Sequence, residues 1–175
     1  MITGPRIPKD FFETRGKGES DLSIHSGSYH LALQDAGIGM CNILNYSSIL
    51  PGIATKTKQP KSLVHGAVLE SIMAVSHAGK GVKATAGILY RWLYNKNDGS
   101  RFGGLVCENS GNYDLKTLEK LLNLSMEELY RNGFSANYSL SEPHLLSESF
   151  TPSKKHGTCL VGLCFISYQY PELGI

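Results

Sequence analysis

Long apolar runs are absent from this 175-residue chain. No stretch approaches the ~20 apolar residues that a membrane-spanning helix needs. The opening MITGPRIPKDFF also lacks the apolar core of a secretory signal. The expectation is a cytoplasmic protein with no membrane partner. A dominant charge is missing as well. With 17 basic and 15 acidic side chains the formal net charge is +2, too weak a bias to argue for nucleic acid. Lys56, Lys58 and Lys61, and again Lys154, Lys155 and His156, gather locally and read as solvated loops. Cys41, Cys107, Cys159 and Cys164 form no C-x-x-C pair, and the six histidines include no H-x-H or H-x-x-x-H spacing. No metal site and no redox dithiol is therefore signalled. The four cysteines sit in apolar runs and are expected to be small buried hydrophobes in a reducing compartment. G-x-S-x-G, G-x-G-x-x-G and the P-loop are all missing, which removes common signatures of hydrolase, dinucleotide and nucleotide chemistry.

What remains is an ordinary globular composition, 41% hydrophobic and 18% charged. The length suits one domain over residues 1–175, able to bury roughly 70% of its unfolded surface. Phe11 to Thr14 reads as a short strand and the Gly-rich RGKGESD, Arg15 to Asp21, as a loop. Ser28 to Ala36 has helical apolar spacing, and Gly37 stands where a left-handed C-terminal residue belongs. Cys41 to Tyr46 reads as a strand, and Ser47 to Pro60 as a loop punctuated by Pro51, Gly52 and Pro60. Leu63 to Ser76 and Val82 to Tyr94 are rich in small and β-branched residues and favour strand. Asn97-Asp98-Gly99 predicts a hairpin turn into a return strand, Phe102 to Glu108.

Leu115 to Arg131 is the clearest helix. Asp114 caps it, Leu115, Leu118, Leu122, Met126 and Leu129 follow the 3–4 spacing, and Asn132-Gly133 closes it. His144 to Phe150 and Gly157 to Tyr168 finish the chain as strands. The second is nearly continuous apolar and should be central in a sheet. Strands in series with two amphipathic helices predict an α+β fold with largely antiparallel sheets.

One segment has chemical potential of its own. In Cys41-Asn42-Ile43-Leu44-Asn45-Tyr46-Ser47-Ser48-Ile49-Leu50-Pro51-Gly52 a Ser-Ser pair ends an apolar strand and enters a Pro-Gly turn. The Ser48 hydroxyl can attack the carbonyl carbon of Ser47, converting the amide to an ester. Elimination and hydrolysis would then leave a pyruvoyl group at position 48. Such chemistry needs donors that stabilise the oxyanion. A Ser-Ser pair alone is weak evidence, since serines are common and an ordinary turn has the same sequence.

The segment CNILNYSSILPG resembles the processing site of the pyruvoyl-dependent arginine decarboxylases. GKGESD and HSGSYHLALQDAGIG upstream resemble the family's loop and first helix. Downstream, HGAVLESIMA, FGGLVCE, YRNGF and KKHGTCLVGLCFISY follow in the family's order, so the resemblance spans nearly the whole chain. It implies a four-layer αββα sandwich assembling into trimers of αβ protomers, with sites between subunits. It also implies self-cleavage into a β chain, residues 1–47, and an α chain, residues 48–175. The cofactor would be a pyruvoyl group derived from Ser48, with no free cofactor and no metal. This group would decarboxylate L-arginine to agmatine through a Schiff base. Either polyamine synthesis or acid resistance would fit that product.

By position the resemblance makes Asn42 a residue that holds the active-site groups and Glu108 the acid that protonates the carbanion. Read without it, Asn42 is a strand-end amide, and Glu108 opens the turn-like ENSGN. The pattern breaks at His30, which stands where archaeal members place an aspartate for the guanidinium. Imidazole cannot form the bidentate ion pair. Glu19, Asp21 and Glu70 are then the candidate substrate-binding acids. The alternatives are a pyruvoyl decarboxylase of histidine or ornithine, and a non-cleaving homologue with a binding or structural role.

Overall fold

The computed structural model describes residues 2–173. Ten strands and two helices build the main body. They are β1 (Asp10–Ser20), α1 (His30–Asp35), β2 (Asn42–Asn45), β3 (Ile49–Pro51), β4 (Thr55–Lys56), β5 (Val68–Gly79), β6 (Ala84–Asn95), β7 (Arg101–Gly111), α2 (Leu115–Gly133), β8 (Tyr138–Leu140), β9 (His144–Phe150) and β10 (His156–Phe165). A π-helical turn, Ile24–Tyr29, leads into α1. Near the termini, Ile2–Thr3 pairs with Glu172–Leu173, and Ile7–Pro8 pairs with Tyr168–Gln169.

The first sheet has the order β2-β5-β10-β1-β4. Its long strands are antiparallel, while β2 lies parallel to β5 and β4 parallel to β1. The second sheet runs β6-β7-β3 as antiparallel neighbours, and β8 and β9 share the other edge of β6. The fold is thus α+β, mostly strand, with mainly antiparallel sheets.

Period-two alternation explains how the sheets are covered. In β10, Cys159, Val161, Leu163 and Phe165 join Ile72, Ala74, Ile88 and Val106 in a cluster drawn from both sheets. The intervening Leu160 and Cys164 pack with Ala32, Leu33 and Ala36 around α1. Both faces of β10 are covered, which accounts for its continuous apolar sequence and its central place. On the second sheet, Leu89, Leu93, Leu105 and Cys107 pack against Leu118, Leu122 and Met126 of α2.

Several expectations need correction. Arg15 to Ser20 is no loop, because β1 runs on through it. Gly16 and Gly18 are there because a Cβ at either would strike the backbone around Ser28 and Ala32. Glycine in this segment signals close approach of a helix, which reads like turn chemistry in sequence. Ser47 to Pro60 contains the short strands β3 and β4. The strand expected from Leu63 starts at Val68, and β7 continues past Glu108 to Gly111. Cys41 is only partly buried, unlike the other three cysteines. Helix α2 runs through Gly133, whereas Gly37 has the expected left-handed φ of 72°. Among the described residues, no helix is long and apolar enough to cross a membrane.

Candidate active site

The candidate site lies where the chain passes from one sheet to the other. β2 belongs to the first sheet, with Asn42 opposite Val68 and Asn45 opposite Ser71. β3 belongs to the second, with Ile49 opposite Leu105. Tyr46, Ser47 and Ser48 make the crossing. The Ile49 N–H turns back to donate to the Ser47 carbonyl at 2.8 Å, closing a tight turn on Ser48.

The Ser48 hydroxyl lies 2.7 and 2.6 Å from the two carboxylate oxygens of Glu108, and its single proton is shared between them. Glu108 reaches this point through the pleat of β7. Val106 belongs to the cluster between the sheets, and Glu108, two residues on, shares that face. Burial pushes the Glu108 carboxyl above the usual glutamate range, while the hydrogen bond from Ser48 pulls the other way. The result is a half-buried acid in contact with a serine hydroxyl, beside a carbonyl that already accepts one backbone donor. This arrangement suits proton transfer to and from position 48.

Of the other expected site residues, Glu70 reaches the crossing through Tyr46, and Asn42, Glu19, Asp21 and His30 do not converge there within one chain. Asn42 opens β2, and its amide donates to Gly66 O at 3.0 Å, fixing the strand that leads to Ser48. Glu70 is buried, ion-paired with Arg6, and accepts from the Tyr46 hydroxyl, so its carboxylate is already engaged. Glu19 accepts from Ser153 N at 2.7 Å and Ser153 Oγ at 2.8 Å, and Asp21 from Lys155 N at 3.1 Å. The Ser153 hydroxyl, more than any other group, holds the Glu19 carboxyl below its usual range. Glu19 sits opposite Gly157 and Glu70 opposite Phe165, eight residues along β10. At about 3.3 Å per residue that is roughly 26 Å, so Glu19 and Asp21 lie at the far end of the sheet from the crossing. His30 is exposed on α1, with Nε2 3.0 Å from the Gln34 amide nitrogen.

Sequence reasoning overlooked Arg6, Tyr46 and the Ile49 N–H. A signal for the first two was present: Glu70 interrupts the apolar run VLESIMAV, and an acid placed there requires a partner. No cluster of three metal-ligating side chains occurs among the described residues.

Comparison with known proteins places this geometry in a family. The family model described as pyruvoyl-dependent arginine decarboxylase matches residues 10–170. The chain is 30% identical over 191 residues to the pyruvoyl-dependent arginine decarboxylase AaxB of Chlamydia pneumoniae, covering 98% of this chain and 97% of that one. It is also 30% identical over 125 residues to the pyruvoyl-dependent arginine decarboxylase of Methanopyrus kandleri, covering 71% and 76% respectively. AaxB of Chlamydia abortus is 37% identical over 121 residues, 62% of each chain. With a family match over nearly its full length, and with the serine pair and the acid in contact at the crossing, the chain belongs to the pyruvoyl-dependent arginine decarboxylases, carboxy-lyases that use a covalently held pyruvoyl group.

Proposed function

We propose that the chain is a self-processing decarboxylase of L-arginine, releasing agmatine and CO₂, that is cut between Ser47 and Ser48. The observation that carries this reading is the Ser48 hydroxyl held against Glu108 beside the Ser47 carbonyl. Glu108 as carboxylate takes the Ser48 proton while Oγ attacks the Ser47 carbonyl carbon. The Ile49 N–H already faces the oxygen on which charge develops. The C–N bond then breaks and an ester joins Ser47 to the Ser48 oxygen. Loss of a proton from Ser48 Cα breaks the Cβ–Oγ bond, releasing Ser47 as a carboxylate and leaving dehydroalanine. Its imine tautomer takes up water and loses ammonia, which yields the pyruvoyl group.

That group fits the site, because it derives from the chain's own Ser48 and stays beside Glu108. It supplies a ketone that condenses with the substrate amine and an electron sink for loss of CO₂. Glu108, whose carboxyl burial pushes above the usual glutamate range, then donates a proton to the carbon that has lost CO₂. Asn42 secures the strand bearing Tyr46 and Ser47. Substrate choice rests on the family and on the names of the relatives. Glu70 is engaged with Arg6, and Glu19 and Asp21 are remote within one chain. The guanidinium partner is therefore assigned to a neighbouring copy, which can present Glu19 or Asp21.

We read the three apolar clusters as one domain, residues 1–175, in a four-layer αββα sandwich. One cluster lies between the sheets and one under each helix, which supports that layering. A trimer of αβ protomers in the cytoplasm completes the proposal, and agmatine would feed polyamine metabolism.

Intact-mass measurement tests the reading. Wild type should resolve into pieces of 47 and 128 residues, the larger resistant to Edman chemistry, and Ser48→Ala should stay full-length and inactive. Arginine should be decarboxylated faster than lysine, ornithine or histidine. An uncleaved yet active wild type would refute the pyruvoyl mechanism. A tenfold preference in kcat/KM for ornithine or histidine would refute the substrate.

A further inference from the structure

Tyr46 is held more firmly than a connecting residue needs. Its N–H donates to Ser71 O at 2.8 Å, its ring packs on Phe165 at 5.6 Å between centroids, and its hydroxyl donates to Glu70. Glu70 is 2% exposed, on the face of β5 that points between the sheets with Ile72 and Ala74. Its charge is matched by Arg6, whose Nε lies 3.3 Å from Oε2. Among the described residues Oε1 has no hydrogen-bond donor other than the adjoining guanidinium. Arg6 also lies 5.3 Å over the Tyr168 ring, in the segment clipped to Tyr168–Gln169.

An ion pair whose carboxylate is buried but whose guanidinium is about half exposed contributes little net stability, and an apolar residue in place of the buried acid often serves a core as well or better. The structural account of this cluster is therefore incomplete. Its placement supplies the rest. The buried carboxylate receives the hydroxyl of the residue just before Ser47, on the acyl side of the bond to be cut. On the other side, Ser48 is received by Glu108. Two carboxylates, one from each sheet, thus grip the three-residue crossing at its two ends. Ser47 between them is exposed.

We infer that Arg6, Glu70 and Tyr46 form a positioning cluster for self-cleavage, holding the Ser47 carbonyl within reach of Ser48 Oγ. The inference rests on the self-processing reading above. Arg6 is needed because it sets a cation against the carboxylate that accepts the Tyr46 hydroxyl and so fixes that carboxylate's position. Tyr46 itself touches neither substrate nor the reacting atoms; it acts through the backbone it anchors. Misplacing that carbonyl by a fraction of an ångström to an ångström costs rate steeply, on the order of 10–10²-fold.

The test follows cleavage over time in freshly refolded full-length precursor. Tyr46→Phe keeps the ring on Phe165 and removes only the hydroxyl. It should lower the first-order cleavage constant by roughly tenfold or more, while kcat per pyruvoyl in the cleaved fraction stays within about twofold of wild type. A merely structural role would lower the melting temperature and leave the cleavage constant unchanged, and that result overturns the inference. Arg6→Met combined with Glu70→Met removes both charges together. It should slow cleavage to the same degree, and adding Tyr46→Phe to it should slow cleavage no further, as expected for groups acting as one unit. Additive slowing would overturn the cluster. If the double variant does not fold, Tyr46→Phe alone decides. A wild type that never cleaves would defeat the self-processing reading itself. A cleaving wild type with an equally fast Tyr46→Phe would defeat only this inference.

Discussion

At the scale of single residues, Glu108 is asked for two opposite services. In the proposed reaction it accepts a proton from Ser48 in the precursor and donates one in the mature site. The sequence marked Glu108 only through resemblance, because its flank ENSGN imitates a turn. The contact with Ser48 depends on β3 pairing with β7, a strand far away in sequence, which no local pattern encodes. Glu108→Gln should therefore slow self-cleavage and also lower kcat in whatever fraction matures, the latter by about 10²–10⁴-fold. Normal cleavage by Glu108→Gln would show that another base starts the reaction.

The pH dependence of Glu108 has a definite sign. Its folded pKa is raised by burial, so the folded state holds this proton to higher pH than the unfolded chain. Its contribution to stability is full below the unfolded value and is lost as pH rises through the raised one. Cleavage needs the carboxylate and should accelerate across that same rise, whereas decarboxylation needs the acid and should decline. Conversion of Ser48 removes the hydroxyl that had lowered the pKa, so the decline should fall at higher pH than the acceleration. Rate profiles of both reactions test this, and parallel profiles would refute it.

At the scale of elements, legibility followed how much of the signal was local. Helix α2 was readable because its cap and its 3–4 spacing are contained in its own sequence. Asp114 accepts from Thr117 N at 2.8 Å. Asp114→Ala should lower the melting temperature by about 2–4 °C, as loss of a helix cap does, with cleavage unaffected. A change in cleavage rate there would mean that α2 is coupled to the crossing. β1 was misread at Gly16 and Gly18 because the reason for those glycines, the helix backbone above them, lies some 15 residues away in sequence. β3 and β4 were missed for a similar reason. Each is two or three residues long and exists only as an edge added to β7 or β1.

At the scale of the whole molecule, the open question is what completes the site. The apolar face of α1 is spent on its own sheet through Ala32, Leu33 and Ala36. Other apolar side chains are better placed for assembly. Met40, Val64 and Val68 are exposed near a groove of about 410 Å³ that is lined in part by Cys41, Leu63 and Tyr168, and Ile49 is exposed at the crossing itself. If the guanidinium partner belongs to a neighbour, activity should fall on dilution as the assembly dissociates. Sedimentation showing a fully active monomer would refute that.

The place of β10 in its sheet has a consequence of its own. It lies between β1 and β5, and its register with β1 joins ten residue pairs from His156–Ser20 to Phe165–Phe11. A cut after Ser47 puts β1 on one polypeptide and β10 on the other, with the ladder between them intact. If the proposed cut is made, an intramolecular fold would become a complex of two chains, and its unfolding equilibrium would acquire a concentration term. The pieces would stay together without a tether, since neither can leave without exposing the strand it covers. Once parted, they would have to find each other again, and the serine that made the cofactor would already be spent.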